Sequence, residues 1–312
     1  MKTLIVIVGP TGIGKTDLGI YLAKALKTEI ISADSRQVFK ELKIGTAVPS
    51  DQQLSEVKHH FIGNISIHDY YNASIYEFAV IELLNTLFET KDTVVLVGGS
   101  GMYIDAVCNG IDDLPDIDPE IRLFLNEKYK NEGLESIRFE LNKLDPEYYK
   151  IVDLKNPKRI LKGLEICMMT GRTYTSHRKA IKKERNFNII KIGLQMDREK
   201  LYERIDKRVD QMFEQGLLDE AKTFYPHKEI NALNTVGYKE LYDHFDGEYD
   251  LDKAVELIKR NSRRYAKRQL SWFMRDKEIN WFEPTEKEKI IDYINAAIQN
   301  NLITPKSPKG DF

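Results

Sequence analysis

Cysteine is almost absent from this chain of 312 residues: Cys108 and Cys167 are the only two, far apart and without Cys or His neighbours at metal-ligand spacing. That excludes a disulfide framework and a cysteine-ligated zinc site, and it fits a reduced, cytoplasmic protein. No apolar run reaches bilayer-spanning length, so neither a membrane segment nor a membrane partner is expected. An apolar stretch begins after only two residues, which leaves no signal peptide ahead of it. An excess of one charge is lacking too, since 47 Lys and Arg oppose 49 Asp and Glu for a net −2. Net charge therefore gives no hint of a polyanionic partner. With 42% hydrophobic and 31% charged residues the composition is that of an ordinary globular protein. The length allows one sizeable core plus a second domain or a large insertion.

What is present starts at Gly9-Pro10-Thr11-Gly12-Ile13-Gly14-Lys15-Thr16, the pattern G-x-x-x-x-G-K-[ST]. The apolar run Leu4–Val8 precedes it and helical apolar spacing follows through Leu26, which is the strand–loop–helix setting that gives the motif physical meaning. The glycines let successive backbone N–H groups curl around a phosphate chain, and the helix N-terminus adds its dipole. Lys15 supplies a point charge and the Thr16 hydroxyl a ligand for Mg²⁺. The competing reading is a glycine-rich turn that binds nothing.

Residues 29–32 form a second short apolar strand that ends in Ala33-Asp34-Ser35-Arg36-Gln37. Ligands of open parallel sheets sit at the carboxyl ends of the strands, so Asp34 is expected beside the bound phosphates. Residues 40–70 read as loops and short strands, among them Ile44-Gly45-Thr46-Ala47 and His59-His60-Phe61-Ile62. Neighbouring strand residues face opposite ways, which favours a structural role for the histidine pair over metal binding. Asn72 caps an amphipathic helix to about Glu89, and the strand Thr93–Val97 then runs into Gly98-Gly99-Ser100-Gly101. A Walker B strand would end in an Asp on Mg²⁺. This strand ends in glycine, which weakens the ATPase and GTPase readings.

Helical patterns dominate residues 113–187, and a strand pattern resumes at 188–194. The expected organisation is an α/β fold, a P-loop NTPase-like parallel sheet flanked by helices with an inserted, mainly helical domain. Residues 1–112 and 188–312 make the core and 113–187 the insertion. A long helix from Leu251 to about Arg275 carries Lys259, Arg260, Arg263, Arg264, Lys267 and Arg268, interleaved with Tyr265, Trp272 and Phe273. Such a face suits phosphate contacts and base stacking, and a merely solvated basic face is the alternative. The end, Lys306-Ser307-Pro308-Lys309-Gly310, reads as a frayed tail.

The ordered set Gly9–Thr16, Ile31–Val38, Ile44–Ala47, Val97–Tyr103 and Arg264–Trp272 resembles the bacterial tRNA dimethylallyltransferases. Pro157–Ile160, Met212–Glu220 and Thr235–Leu241 are similar to that family as well. The resemblance implies transfer of a dimethylallyl group from dimethylallyl diphosphate to N6 of the adenosine next to the anticodon, in tRNAs reading codons that begin with U. It implies a diphosphate leaving group on Gly9, Pro10, Thr11, Gly12, Ile13, Gly14, Lys15 and Thr16, with Mg²⁺ as cofactor on Thr16. Asp34 matches the family base, and Arg159 an arginine that steadies the departing diphosphate. Contacts to a tRNA anticodon stem-loop fall to Asp34, Ser35, Arg36, Gln37, Ser100, Lys158, Arg159, Ile160, Leu161, Lys162, Lys267, Arg268 and Gln269, with the insertion among them. Ser100 stands where the family usually has Thr, and Lys162 where it commonly has Arg, which removes a bidentate fork. The expected protein is monomeric. Competing readings are an adenylate (free nucleotide) isopentenyltransferase, a P-loop small-molecule kinase and an RNA-binding P-loop protein without turnover.

Overall fold

The computed structural model describes residues 2–112, 114, 115, 118–178 and 182–303. Three stretches of the sequence reading lie outside these: the start of the insertion at Asp113, Asp116 and Ile117, part of its basic close at 179–181, and the tail 306–310. The chain divides into two compact units, one formed by residues up to Cys108 and from Arg185 onward, the other by Asn109–Glu184.

In the first unit the order is β1 (Thr3–Val8), α1 (Lys15–Ala25), β2 (Ile30–Ala33), α2 (Asp51–Glu56), β3 (His59–His60), α3 (Ala73–Thr90), β4 (Thr93–Gly98) and α4 (Gly101–Asn109). The second unit contributes α5 (Pro119–Leu144), α6 (Pro146–Ile151), α7 (Pro157–Thr170) and α8 (Tyr174–His177). The first then resumes with β5 (Asn188–Leu194), α9 (Arg198–Glu214), α10 (Leu217–Phe224), α11 (Tyr238–Phe245), α12 (Leu251–Phe273), β6 (Ile279–Phe282) and α13 (Lys287–Ile303).

All six strands are parallel, in the order β3-β2-β4-β1-β5-β6. The inner strands are near-continuous runs of Val, Ile and Leu because a parallel sheet is covered on both faces. Leu4, Ile5, Val6 and Ile7 are fully buried, as are Val94, Val95 and Leu96. Lys191 in β5 is the exception, and its buried ammonium is paired with Asp276 at 2.6 Å and Glu278 at 2.8 Å. The carboxyl ends of β1, β2 and β4 lead into the phosphate loop, Asp34 and the Gly98–Ser100 turn, respectively. Among the described residues no helix is long and apolar enough to cross a membrane.

The second unit closes on its own small core of Leu125, Ile137, Leu141, Ile160 and Leu164. Its longest helix breaks at Gly133, with φ 80° and ψ −172°. It begins at Asn109 and ends at Glu184, a few residues before each of the boundaries expected at 113 and 187. The reason is local: α4 runs on to Asn109, and Arg185 already belongs to the core. Its guanidinium donates to Glu77 at 2.7 Å and to the carbonyls of Ala106 and Val107. The Lys183 N–H donates to the Asn109 carbonyl at 2.7 Å, so the two ends of the inserted unit meet.

Three sequence expectations need correction. Residues 44–47 are turns, not a strand: Ala47 has φ 48°, and the N–H groups of Lys43, Ile44 and Gly45 converge on the Glu220 carboxylate. The helix α2 lies within the stretch read as loop and strand, started by a Ser50/Gln53 capping box that is present in the sequence. The histidine pair does form a strand, but of two residues only. His59 bonds the Val57 carbonyl at 2.7 Å and His60 bonds Glu29 at 2.7 Å, and no cluster of three metal-ligating side chains exists among the described residues.

The close approach of β2 to β4 sets a glycine requirement. A Cβ on Gly98 would lie 2.2 Å from the Ala33 carbonyl oxygen, a backbone atom that cannot swing aside. Gly98→Ala is expected to cost about 3 kcal/mol of stability by urea denaturation. Gly171→Ala, where a Cβ meets nothing within 4 Å and only φ 65° is unfavourable, is expected to cost about 1–2 kcal/mol.

Candidate active site

The phosphate loop crosses from β1 to α1 with Gly12 at φ 79° and Gly14 at φ 105°, backbone that a side chain would strain. Lys15 folds back so that its ammonium donates to the Pro10 carbonyl at 2.8 Å. Two arginines of α9 reach the same loop. Arg204 Nε donates to the Gly12 carbonyl at 2.9 Å, and Arg208 Nη1 donates to the Thr11 hydroxyl at 3.1 Å. Neither was singled out from the sequence. Their i, i+4 spacing puts them on one helix face, but an amphipathic helix shows many such pairs.

Burial governs the electrostatics. Stripped of water and repelled by Arg208, the Lys15 ammonium is lowered to about 7, with Asp34 partly offsetting this. Burial lowers Arg208 and Arg36 as well, and Asp34 opposes the shift in both. The Tyr265 phenol is pushed up to about 12 by burial and by Asp34. One carboxylate thus stands among three cations.

Asp34 has two distinct oxygens. Oδ1 accepts from the N–H groups of Arg36 at 2.8 Å and Gln37 at 3.2 Å, a turn cap that fixes the side chain. Oδ2 makes no hydrogen bond among the described residues and is left for chemistry. Ser100 supports this turn, its hydroxyl accepting from the Ser35 N–H at 2.9 Å.

Two cavities meet here. The larger, about 980 Å³, is lined by Thr11, Gly12, Gly14, Lys15, Thr16 and Arg204. The smaller, about 390 Å³, is lined by Ser35, Arg36, Thr46, Thr235, Lys239 and Arg268. Thr11, Asp34, Arg208, Met212 and Tyr265 border both. The wall formed by residues 43–47 is fixed from two sides. Glu220 accepts its N–H groups and the Tyr238 hydroxyl, and the Gln37 amide donates to the Thr46 and Ala47 carbonyls at 3.2 and 2.9 Å.

Several residues grouped with tRNA contact have other duties. Gln269 is buried, and its amide accepts from the Thr11 N–H at 2.8 Å and donates to the Gly99 carbonyl at 2.9 Å. Gln37 holds the 43–47 wall. In the second unit Ile160 and Leu161 point into that unit's core, because α7 is amphipathic. On the same helix Lys158 and Arg159 are exposed and Lys162 is half-buried. Glu165 pairs with Arg122 at 2.9 Å, not with Arg159.

The basic helix α12 is also less free than its sequence implies. Arg263 and Lys259 pair with Asp206 and Asp210 of α9 at 2.6 and 2.5 Å. The Trp272 indole N–H donates to Asp105 at 3.0 Å, which ties down that half-buried ring, and Phe273 is buried and not offered to a base. Lys267 and Arg268 remain exposed, with Arg268 beside the Tyr265 ring.

The buried Lys15 has a stability consequence. Its folded value near 7 lies below the ordinary lysine value of 10.5, so the unfolded chain holds the extra proton between those values and stability rises with pH across that window. Lys15→Met is expected to raise the melting temperature most at pH 6, with the gain fading toward pH 10, as thermal denaturation at several pH values would show.

Comparison with known proteins agrees with this geometry. A family model described as IPP transferase matches residues 37–276. The chain is 56% identical over 298 residues to tRNA dimethylallyltransferase 1 of Bacteroides fragilis, covering 96% of this chain and 99% of that protein. Among solved structures, the full-length tRNA isopentenylpyrophosphate transferase of Bacillus halodurans superposes with a TM-score of 0.71 at 34% identity, covering 96% and 98% of the two chains. A eukaryotic dimethylallyltransferase acting on tRNA superposes with a TM-score of 0.78 at 25% identity, covering 100% of this chain and 82% of its own. With a phosphate loop, the Asp34 carboxylate beside it and a match over nearly the whole chain to these relatives, the chain belongs to the IPP transferase family.

Proposed function

We propose that this protein transfers the dimethylallyl group of dimethylallyl diphosphate to N6 of the adenosine next to the anticodon in tRNA, in the cytoplasm. The observation that carries this reading is Asp34, with one oxygen fixed and the other open, on the border of a cationic cavity and a second cavity. The donor diphosphate lies in the larger cavity, on the N–H groups of the phosphate loop. The target adenine leaves the anticodon-loop stack and enters from the smaller one.

The N6 lone pair is delocalised into the adenine ring, so the amine is a poor nucleophile. As N6 bonds to the allylic C1, the C1–O bond to the diphosphate breaks and its electron pair leaves with the phosphate. Asp34 Oδ2 takes the N6 proton as the C–N bond forms, a general-base contribution of about 10²–10⁴-fold. Negative charge grows on the leaving oxygen, and Lys15, Arg208 and the N–H groups from Gly12 onward are the donors of this cavity that would stabilise it. Mg²⁺ usually keeps several waters and takes one or two protein oxygens plus substrate phosphates. The Thr16 hydroxyl, which lines this cavity, fits that role; the ion would add positive charge at the leaving group. In the second unit the exposed Lys158 and Arg159 contact tRNA, Arg159 steadying the substrate.

The test is incubation of the protein with unmodified tRNA, Mg²⁺ and dimethylallyl diphosphate, followed by nucleoside mass spectrometry. An added isopentenyl group on adenosine is expected with tRNA and not with AMP. No product from tRNA that another prenylating enzyme accepts would overturn the proposal. Asp34→Asn is expected to lower kcat by about 10²–10⁴-fold while tRNA binding persists. Tight tRNA binding without turnover in the wild type would indicate an RNA-binding protein instead.

A further inference from the structure

The first half of the phosphate loop offers an anion few backbone donors. Pro10 carries no N–H. The next backbone donor, the Thr11 N–H, is taken by the Gln269 amide oxygen at 2.8 Å. After Gly9, free backbone donors for a phosphate chain therefore begin at Gly12.

Gln269 is a built feature, not a passing contact. Only 6% of it is exposed, so water does not compete for its bonds. Its other end donates to the Gly99 carbonyl at 2.9 Å, joining the loop after β1 to the turn after β4. A Cβ on Gly99 would lie 2.3 Å from Gln269 Nε2 and 3.7 Å from the Lys15 ammonium, so the amide and the ammonium crowd the same glycine. Thr11, Lys15, Gly99 and Gln269 all border the larger cavity. The amide thus stands beside Lys15 in the wall of the cavity that a phosphate chain would enter. An amide also suits this position chemically, since one end must accept and the other donate.

We propose that Gln269 sets the number of phosphates this loop accepts: by occupying the Thr11 N–H and the space beside Lys15, it admits a diphosphate and rejects a triphosphate. The proposal rests on the reading that the loop holds a diphosphate donor. It gives the loop a selectivity against nucleoside triphosphates that its G-x-x-x-x-G-K-[ST] pattern alone does not convey.

The experiment is calorimetric titration of the intact protein with Mg²⁺-pyrophosphate and Mg²⁺-tripolyphosphate. Wild type is expected to bind pyrophosphate at least about tenfold more tightly, a difference of about 1.4 kcal/mol. Gln269→Ala opens both the N–H and the space, and is expected to bring the two affinities within about threefold. Gln269→Met keeps the bulk without the amide and is expected to keep most of the exclusion. Equal binding of both anions by the wild type overturns the proposal, and this outcome does not depend on any variant folding. An unchanged ratio in a Gln269→Ala protein that still binds pyrophosphate overturns it as well. Failure of the donor reading looks different: pyrophosphate selection without prenyl transfer to tRNA. Binding of neither anion overturns both.

Discussion

Burying cations without a matching number of anions is costly, and this site does so beneath its phosphate loop. Lys15, Arg208 and Arg36 are all at least half-buried, with Asp34 as the nearby carboxylate whose charge each of them feels. In a medium of reduced dielectric the repulsion of Lys15 by Arg208 is not screened as it is at the surface. A polyanion entering the cavity removes that repulsion and completes the charge balance. The free site is thus held in an electrostatically unfavourable state by the packing of the sheet and α9, and the surrounding structure serves largely to keep it so.

The support comes from side chains that reach far along the chain. Glu220 and Gln37 hold the 43–47 wall from opposite sides, and the wall is tight enough that a Cβ on Gly45 would sit 2.5 Å from the Tyr238 ring. Gln269 ties the phosphate loop to the Gly98–Ser100 turn. None of these bonds is within secondary structure. They tie loops at the carboxyl edge of the sheet, where the backbone has no ladder to fix it, to each other and to α10 and α12, and so they set the geometry that the strands leave open.

The sheet and the loop were legible because their signals are local. Four of the six strands, β1, β2, β4 and β5, announce themselves as apolar runs, and Gly9–Thr16 has meaning from its flanks alone. Asp34 was found by a rule about strand ends, even though β4 lies between β2 and β1. Arg204, Arg208 and Glu220 were not legible, because nothing within a helix tells which loop a surface residue will meet. The same blindness made α12 look more available to RNA than it is. Its carboxylate partners, Asp206 and Asp210, come from another helix, and its Trp272 is tied down by Asp105. Ile160 and Leu161 differ from their motif neighbours for a simpler reason: the motif runs along α7 and so spans both the buried and the exposed face of that helix.

The hydrogen bond between Lys183 and Asn109 closes the inserted unit at its own base. A chain segment whose ends already adjoin adds little loop-closure cost to the fold that hosts it, whatever its length. The insertion is therefore a cassette in the architectural sense, joined to the α/β core at neighbouring points and carrying its own hydrophobic centre. A longer or shorter insertion at this junction would therefore load the six strands and the loop they present with little additional closure entropy.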